Sequence, residues 1–458
     1  MRRRQFLSAG AATVAGVAAG PSAASAAQGS PARAAAHRTG REGLLAGPAG
    51  AGSGVLPPVL QTGFDRFAAG GYQLVAGKKF GIIANPTTIV SDLTHEVDVM
   101  HASPDVNLTA VFGPEHGFRG TAQAGGGQGT YTDPKTGLPV YNMYGTDVPG
   151  TVTLVRQSGV EALGFDIQDV GARFYTYIWT MYLGLTAAAT LGIPFIVLDR
   201  PNPLGGVKPS GPVMQPQLET FVGMKPICQQ HAMTVGELAT LFNEQFVPAD
   251  ANGAKADLTV VTMQGWRRGM YYDQTGLPWV MPSPNMPALD TALVYYGLCL
   301  FEGTNLSEGR GTTRPFELVT APYIDYSWPD TLNEELAANG LHGTRFREEY
   351  VQPAFDKYQN TVCGGLQCYV TDRGSFEAIT TAVAMLVTAR RLYPSSFGWQ
   401  YPGRDPIWVD KLSGSDWIRT SVDAGKSTGE IVAGWQAELA GFARLRDKYL
   451  LYREGAQS

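Results

Sequence analysis

The chain has 458 residues, with 35 Lys and Arg set against 40 Asp and Glu for a formal charge of −5. That balance argues against nucleic acid as a partner, because phosphate binding needs a basic face. Four cysteines are too few for a disulfide scaffold, while 20 Tyr, 19 Phe and 8 Trp suit both a large core and a surface that stacks on sugar rings.

Residues 1–26 read as an export signal. Arg2, Arg3 and Arg4 precede Gln5-Phe6-Leu7, an apolar small-residue run reaches Gly20, and Ala24-Ser25-Ala26 has the form of a cleavage site. The Arg3-Arg4-Gln5-Phe6-Leu7 core is of the twin-arginine type, which points to an extracellular or cell-envelope protein. Cleavage removes three arginines and no acid, taking the charge from −5 to −8. The apolar run is shorter than the ~20 residues a membrane span needs, and no other segment qualifies. Residues 27–58, rich in Ala, Gly, Ser and Pro, read as a flexible tether.

The remaining residues, roughly 400, exceed what one hydrophobic core usually supports, so two subdomains are expected, 59–228 and 229–458. In the first, 79–84 and 107–112 read as buried strands that run into Asn85-Pro86-Thr87 and Gly113-Pro114-Glu115-His116-Gly117. Residues 161–165 lead into Asp166, and 194–198 into Asp199-Arg200-Pro201-Asn202. Four strands that each end in a polar loop predict an α/β fold, a Rossmann-like parallel sheet with its site along the carboxyl edge. Neither GxGxxG after a strand nor GxxxxGK[ST] occurs, so no nucleotide cofactor is expected.

In the second subdomain Thr234 is placed to cap a helix running toward Phe246. Residues 258–261 read as a strand, 279–287 as an irregular loop, and 291–301 as a helix or strand delivering Glu302. Further on, 366–371 reads as a strand, 376–392 as an amphipathic helix and 427–451 as one long helix or two. The expectation is a smaller α+β subdomain packed on the sheet, with the cleft between them. Cys363 and Cys368 are spaced either for a bridge or for buried free thiols.

Five segments hold more fixed polar chemistry than packing requires: 112–120, 164–180, 198–206, 282–287 and 302–317. Asp, Glu, Arg, Asn and His interleaved with Gly, Pro and aromatics signal polar groups positioned in a cleft. Glu115, between Pro114 and His116, sits at a strand end where Gly113 and Gly117 allow a tight turn and a close approach to a ligand. A partly desolvated carboxylate there suits a general acid, with helix capping as the plain alternative. Asp166, Gln168, Asp169, Arg173, Tyr175 and Tyr177 are hard to satisfy by local pairing alone, although Asp169 and Arg173 have helical ion-pair spacing. Arg173 is a candidate clamp on a ligand carboxylate. Asn202 and Asn285 lie in Pro-bounded loops, as sugar ligands or as turn formers. Glu302, Asn305, Glu308 and Arg310 form a denser group, which reads as a binding loop or as a surface salt-bridge loop.

The six histidines include no HExxH, so no metal is expected, and there is no GxSxG nucleophile elbow. What remains is carboxylate chemistry, and in an acidic, aromatic-rich, exported chain it points to glycoside hydrolysis.

The motifs FGPEHGFRG (112–120), DIQDVGARFYTYI (166–178), LDRPNPLGG (198–206), MTVGEL (233–238), PSPNMP (282–287), EGTNLSEGRGT (302–312) and the Tyr449-Leu450-Leu451-Tyr452 ending resemble those of the exo-β-N-acetylmuramidase family. The resemblance runs from about Phe64 to Arg453. It implies metal-free release of terminal N-acetylmuramic acid from non-reducing ends of peptidoglycan fragments, with Glu115 catalytic. His116 and Arg119 of the same motif join the expected substrate contacts. In one respect the chain departs from the family pattern, which has a second glutamate on the helix after Tyr175-Thr176-Tyr177. Residues 183–191 contain no carboxylate, and Thr186 or a neighbour takes that place. The partner role then passes to Asp166, Asp169, Glu302 or the substrate's acetamido group, and Arg173 or Arg310 reads the lactyl carboxylate that marks muramic acid. The competing expectations are a non-catalytic muropeptide-binding protein and a β-N-acetylglucosaminidase.

Overall fold

In the computed structural model, which describes residues 60–403, 405 and 407–453, the first half is built on β-branched and aromatic runs that form a buried sheet. The export signal and tether expected over 1–26 and 27–58 lie outside the described residues.

The strands are β1 (Lys79–Ala84), β2 (Asn107–Gly113), β3 (Tyr131–Thr132), β4 (Pro139–Asn142), β5 (Ala162–Asp166), β6 (Pro194–Leu198), β7 (Ser210–Val213), β8 (Cys228–Gln230), β9 (Asp257–Val261), β10 (Leu318–Ala321), β11 (Thr344–Val351) and β12 (Cys363–Val370). Seven of them form one sheet in the order β3-β4-β2-β1-β5-β6-β9. Only the β3–β4 pair is antiparallel. Numbered along the chain, the six parallel strands run 3-2-1-4-5-6, the doubly wound Rossmann order. The β1 and β5 strands flank the point where that order reverses, with Ala84 level with Asp166. Their near-continuous apolar runs suit strands covered on both faces, and β5 is buried at every position.

Because β9 pairs with β6, the sheet draws on residues beyond position 228. The helix between them, Val235–Gln245, starts where expected. Thr234 accepts from the Glu237 N–H at 3.2 Å and Glu237 returns a bond to the Thr234 N–H at 3.1 Å, a complete capping box. Among the described residues, the remainder adds a three-stranded sheet, β10-β12-β11, and the two-stranded β7–β8. The long helix Ala378–Leu392 packs its buried face against that region. Segment 427–451 resolves into two helices, Thr428–Ala433 and Gln436–Arg446, followed by a 3-10 turn. Segment 291–301 is a helix, Leu289–Leu298, that tightens into a 3-10 turn over Cys299–Gly303.

Cys363 and Cys368 are buried free thiols on the same strand, β12. At a spacing of five they point to opposite faces, which rules out the bridge. Among the described residues, no helix is long and apolar enough to cross a membrane.

Candidate active site

Glu115 follows β2 and Thr176 follows β5, so both stand at the carboxyl edge of the sheet, on either side of β1. Between that edge and the second half of the chain lies a cavity of about 420 Å³. The PEHG turn is strained and tightly tied: His116 has φ 68° and Gly117 φ 81°. A Cβ on Gly117 would come within 2.4 Å of the Gln128 side chain, so the close approach at this glycine is to Gln128. The His116 N–H donates to the Gly126 carbonyl at 3.0 Å, and its Nδ1 faces the Ala122 carbonyl at 2.8 Å, which places the proton on Nδ1.

This loop curls around Glu115. The Gly125 N–H donates to Glu115 Oε1 at 2.8 Å and the Thr176 hydroxyl to Oε2 at 2.7 Å. Tyr144 lies beside the same carboxyl, and burial together with the Glu115 charge pushes its phenol up to about 12. Tyr175, Tyr177 and Tyr295 also line the cavity, and burial raises all three phenols. They are therefore protonated donors at neutral pH. The Tyr177 hydroxyl donates to the Pro282 carbonyl, whereas the buried Tyr175 hydroxyl lies beside Ser283 and Tyr177.

The opposite wall comes from the 302–317 loop. Arg310 Nη2 bonds Glu302 Oε1 at 2.6 Å, its Nε is 3.2 Å from Glu308 Oε1, and its guanidinium covers the Phe316 ring at 4.9 Å. Lys357 Nζ is 3.0 Å from Glu308 Oε2 and donates to the Phe301 and Leu306 carbonyls at 2.8 Å. Burial pushes Glu308 up, but Lys357 and Arg310 outweigh it and hold the carboxyl below its usual range. Trp408 Nε1 donates to Glu302 Oε2 at 3.3 Å. Glu302 is thus gripped from two sides.

Of the residues singled out in the sequence, Glu115, His116, Tyr175, Tyr177, Asn285, Glu302, Glu308 and Arg310 meet at this cavity. The others do not line it. Asp166 is buried and paired with Arg200, which also bonds Glu96 at 2.6 Å; removing one member of such a buried ion group costs about 3–5 kcal/mol. Asp169 accepts from the Gly171 N–H at 2.7 Å and from His231 Nε2 at 3.1 Å. Gln168 donates to the Asp169 and Pro201 carbonyls at 2.8 and 2.7 Å. These three groups hold the loops after β5 and β6 together, and neither aspartate is placed to activate water.

Arg173 is fully buried and, among the described residues, meets no carboxylate. It donates to the carbonyls of Val222 at 3.1 Å, Lys411 at 3.4 Å and Leu412, and burial lowers it to about 10. That excludes a clamp on substrate. Asn202 donates to the Met233 carbonyl at 2.9 Å and accepts from the Leu204 N–H at 3.0 Å, the turn-forming alternative. Asn305 donates to the Ser396 carbonyl at 2.6 Å and accepts from the Gly398 N–H at 3.0 Å. Arg119 pairs with Asp133 at 2.8 Å and Asp98 at 3.2 Å beside a separate shallow depression. Thr186 is buried in its helix and donates to the Tyr182 carbonyl at 2.8 Å. The cavity adds Tyr144, Thr176, Phe221, Lys357 and Trp408, none of which stood out in the sequence.

Two family descriptions match consecutive parts of the chain: "Exo-beta-N-acetylmuramidase NamZ, N-terminal" over residues 80–290 and "Exo-beta-N-acetylmuramidase NamZ, C-terminal" over 293–452. The peptidoglycan beta-N-acetylmuramidase NamZ of Bacillus subtilis (strain 168) is 47% identical over 395 residues, 86% of this chain and 92% of that protein. Two crystal structures of DUF1343 family proteins from Bacteroides fragilis NCTC 9343 share the fold. One has a TM-score of 0.77 and 32% identity, the other 0.66 and 27%, and each comparison covers 86% of this chain and 99% of the other.

Proposed function

Because the chain belongs to the exo-β-N-acetylmuramidase NamZ family, we propose that it hydrolyses the terminal β-N-acetylmuramic acid from non-reducing ends of peptidoglycan fragments. The observation that carries this reading is the placement of Glu115: a carboxyl fixed through both oxygens, at the edge of a parallel sheet, facing a cavity with room for an amino sugar. Glu115 gives its proton to the glycosidic oxygen as the C1–O bond breaks, and water supplies the oxygen and the proton that restore the acid.

With Asp166 and Asp169 engaged away from the cavity, the anomeric carbon meets the substrate's own acetamido oxygen or Glu302, which Arg310 and Trp408 hold in place. Among the described residues, Arg310 is the cavity's guanidinium left to read the lactyl carboxylate, with Tyr175 and Asn285 as neutral donors on the same cavity. Export through the twin-arginine motif at Arg3-Arg4 fits a substrate that lies outside the cytoplasm.

The test is release of N-acetylmuramic acid from N-acetylmuramyl-β-1,4-N-acetylglucosamine by the purified protein. Glu115→Gln is expected to lower kcat by about a thousandfold or more with the fold unchanged by circular dichroism. Binding without release by the wild type supports a receptor instead. Faster cleavage of the sugar lacking the lactyl group supports a glucosaminidase.

A further inference from the structure

The rim of the cavity carries apolar surface that the reaction as described leaves unused. Phe221 is 48% exposed, at the tip of a turn in which Thr220 and Gly223 exchange both backbone hydrogen bonds at 3.0 Å. Its ring centroid lies 5.9 Å from that of Trp408 with the planes 32° apart, and both side chains line the cavity. The floor differs, for Phe174, Met286, Tyr295 and Phe316 are all buried. An exposed apolar face at the mouth of a polar site marks a place where a ligand is covered.

Both aromatics are held from behind. The indole N–H of Trp408 is bound to Glu302 at 3.3 Å. Val222, next to Phe221, accepts from Arg173 Nη1 at 3.1 Å, and the same guanidinium reaches the Lys411 and Leu412 carbonyls on the helix Trp408–Ser413. A Cβ at position 223 would lie 2.4 Å from that Nη1, so glycine is required for the guanidinium to pass. One buried cation thus fixes the two elements that present the ring pair.

Glu115 is held by one group beside the floor and one at the surface. Its Oε2 accepts from Thr176, whose neighbours Tyr175 and Tyr177 are buried, while its Oε1 is held by the exposed Gly125. With a terminal sugar seated on the floor, Phe221 and Trp408 are the apolar surface of the same cavity open to the sugar it is leaving.

We propose that Phe221 and Trp408 form the subsite for the leaving sugar, stacking on the pyranose that follows the terminal N-acetylmuramic acid, with Arg173 as the positioning residue behind them. This rests on the muramidase reading. The C–H face of a pyranose is apolar and matches an aromatic face held at a fixed angle.

The experiment compares kcat/KM on N-acetylmuramyl-β-1,4-N-acetylglucosamine with that on methyl β-N-acetylmuramide, whose leaving group is too small to reach the rim. In Phe221→Ala the disaccharide-to-methyl ratio is expected to fall about tenfold, and in Phe221→Trp to recover. An unchanged ratio in Phe221→Ala overturns the subsite, and a fall that Phe221→Trp does not restore overturns stacking as its basis. Wild-type protein that cleaves neither substrate overturns the muramidase reading, and the subsite with it.

Discussion

Thr176 stands between two tyrosines and donates the hydrogen bond that aims Glu115 Oε2. Replacing it with valine keeps the shape and removes the donor. Thr176→Val is expected to lower kcat about tenfold with KM within about twofold, read from initial rates on the disaccharide, because the loss is one of aim rather than of substrate contact. An equal rise in KM would place the threonine among the binding groups. In the sequence this residue looks like a spacer within Tyr175-Thr176-Tyr177, since an alternating motif does not say which members face a ligand. Arg173 and Asp169 were misleading for a related reason. Strongly polar residues beside a strand end signal a site, yet a buried loop needs the same residues to satisfy its own carbonyls and N–H groups. Arg173 meets three carbonyls and Asp169 meets Gly171 and His231, partners that lie far away in sequence or are backbone atoms that no motif reveals.

The elements were legible wherever periodicity was strong. β1 and β6 run over the residues expected from their apolar content, and Thr234 opens the helix Val235–Gln245. Shorter pieces such as β3, β7 and β10 carry two to four residues each, too few for a period to register. One element gains its meaning only in three dimensions: the stretch after Gln436–Arg446 returns to the sheet edge. The Tyr452 hydroxyl donates to Asp199 at 2.5 Å and accepts from the Met263 N–H at 2.8 Å, while the Leu451 N–H donates to Glu237 at 2.8 Å. Tyr452→Phe leaves the Met263 N–H without its acceptor and removes one of the two donors on Asp199 Oδ2, which keeps Thr234. A loss of about 1–3 kcal/mol in denaturant unfolding is expected, with activity unchanged below the transition. A loss under ~0.5 kcal/mol would show that water replaces the hydroxyl.

The stability of the whole molecule inherits a pH dependence from the burial of Asp199. Burial raises Asp199 to about 7, against the donors Tyr452, Gly236 and Thr234, which pull it down. In the unfolded chain an aspartate titrates near 3.9. Between those values the folded protein holds a proton that the unfolded chain has released, so the contribution is full below about pH 4 and lost as pH rises through about 7. The Tm of the wild type minus that of Asp199→Asn is therefore expected to shrink between pH 5 and pH 8 in scanning calorimetry. A difference that stays constant across that range would mean Asp199 is ionised throughout.

The tie between Tyr452 and Asp199 joins positions 253 apart, and β11 pairs with β12 across a link whose last residues, 359–362, are exposed, Val362 at 65%. A protease that cuts within 359–362 severs the polypeptide without releasing either piece. Two bands on a denaturing gel and a single species of unchanged size under native conditions are the signature of a molecule fastened at both ends.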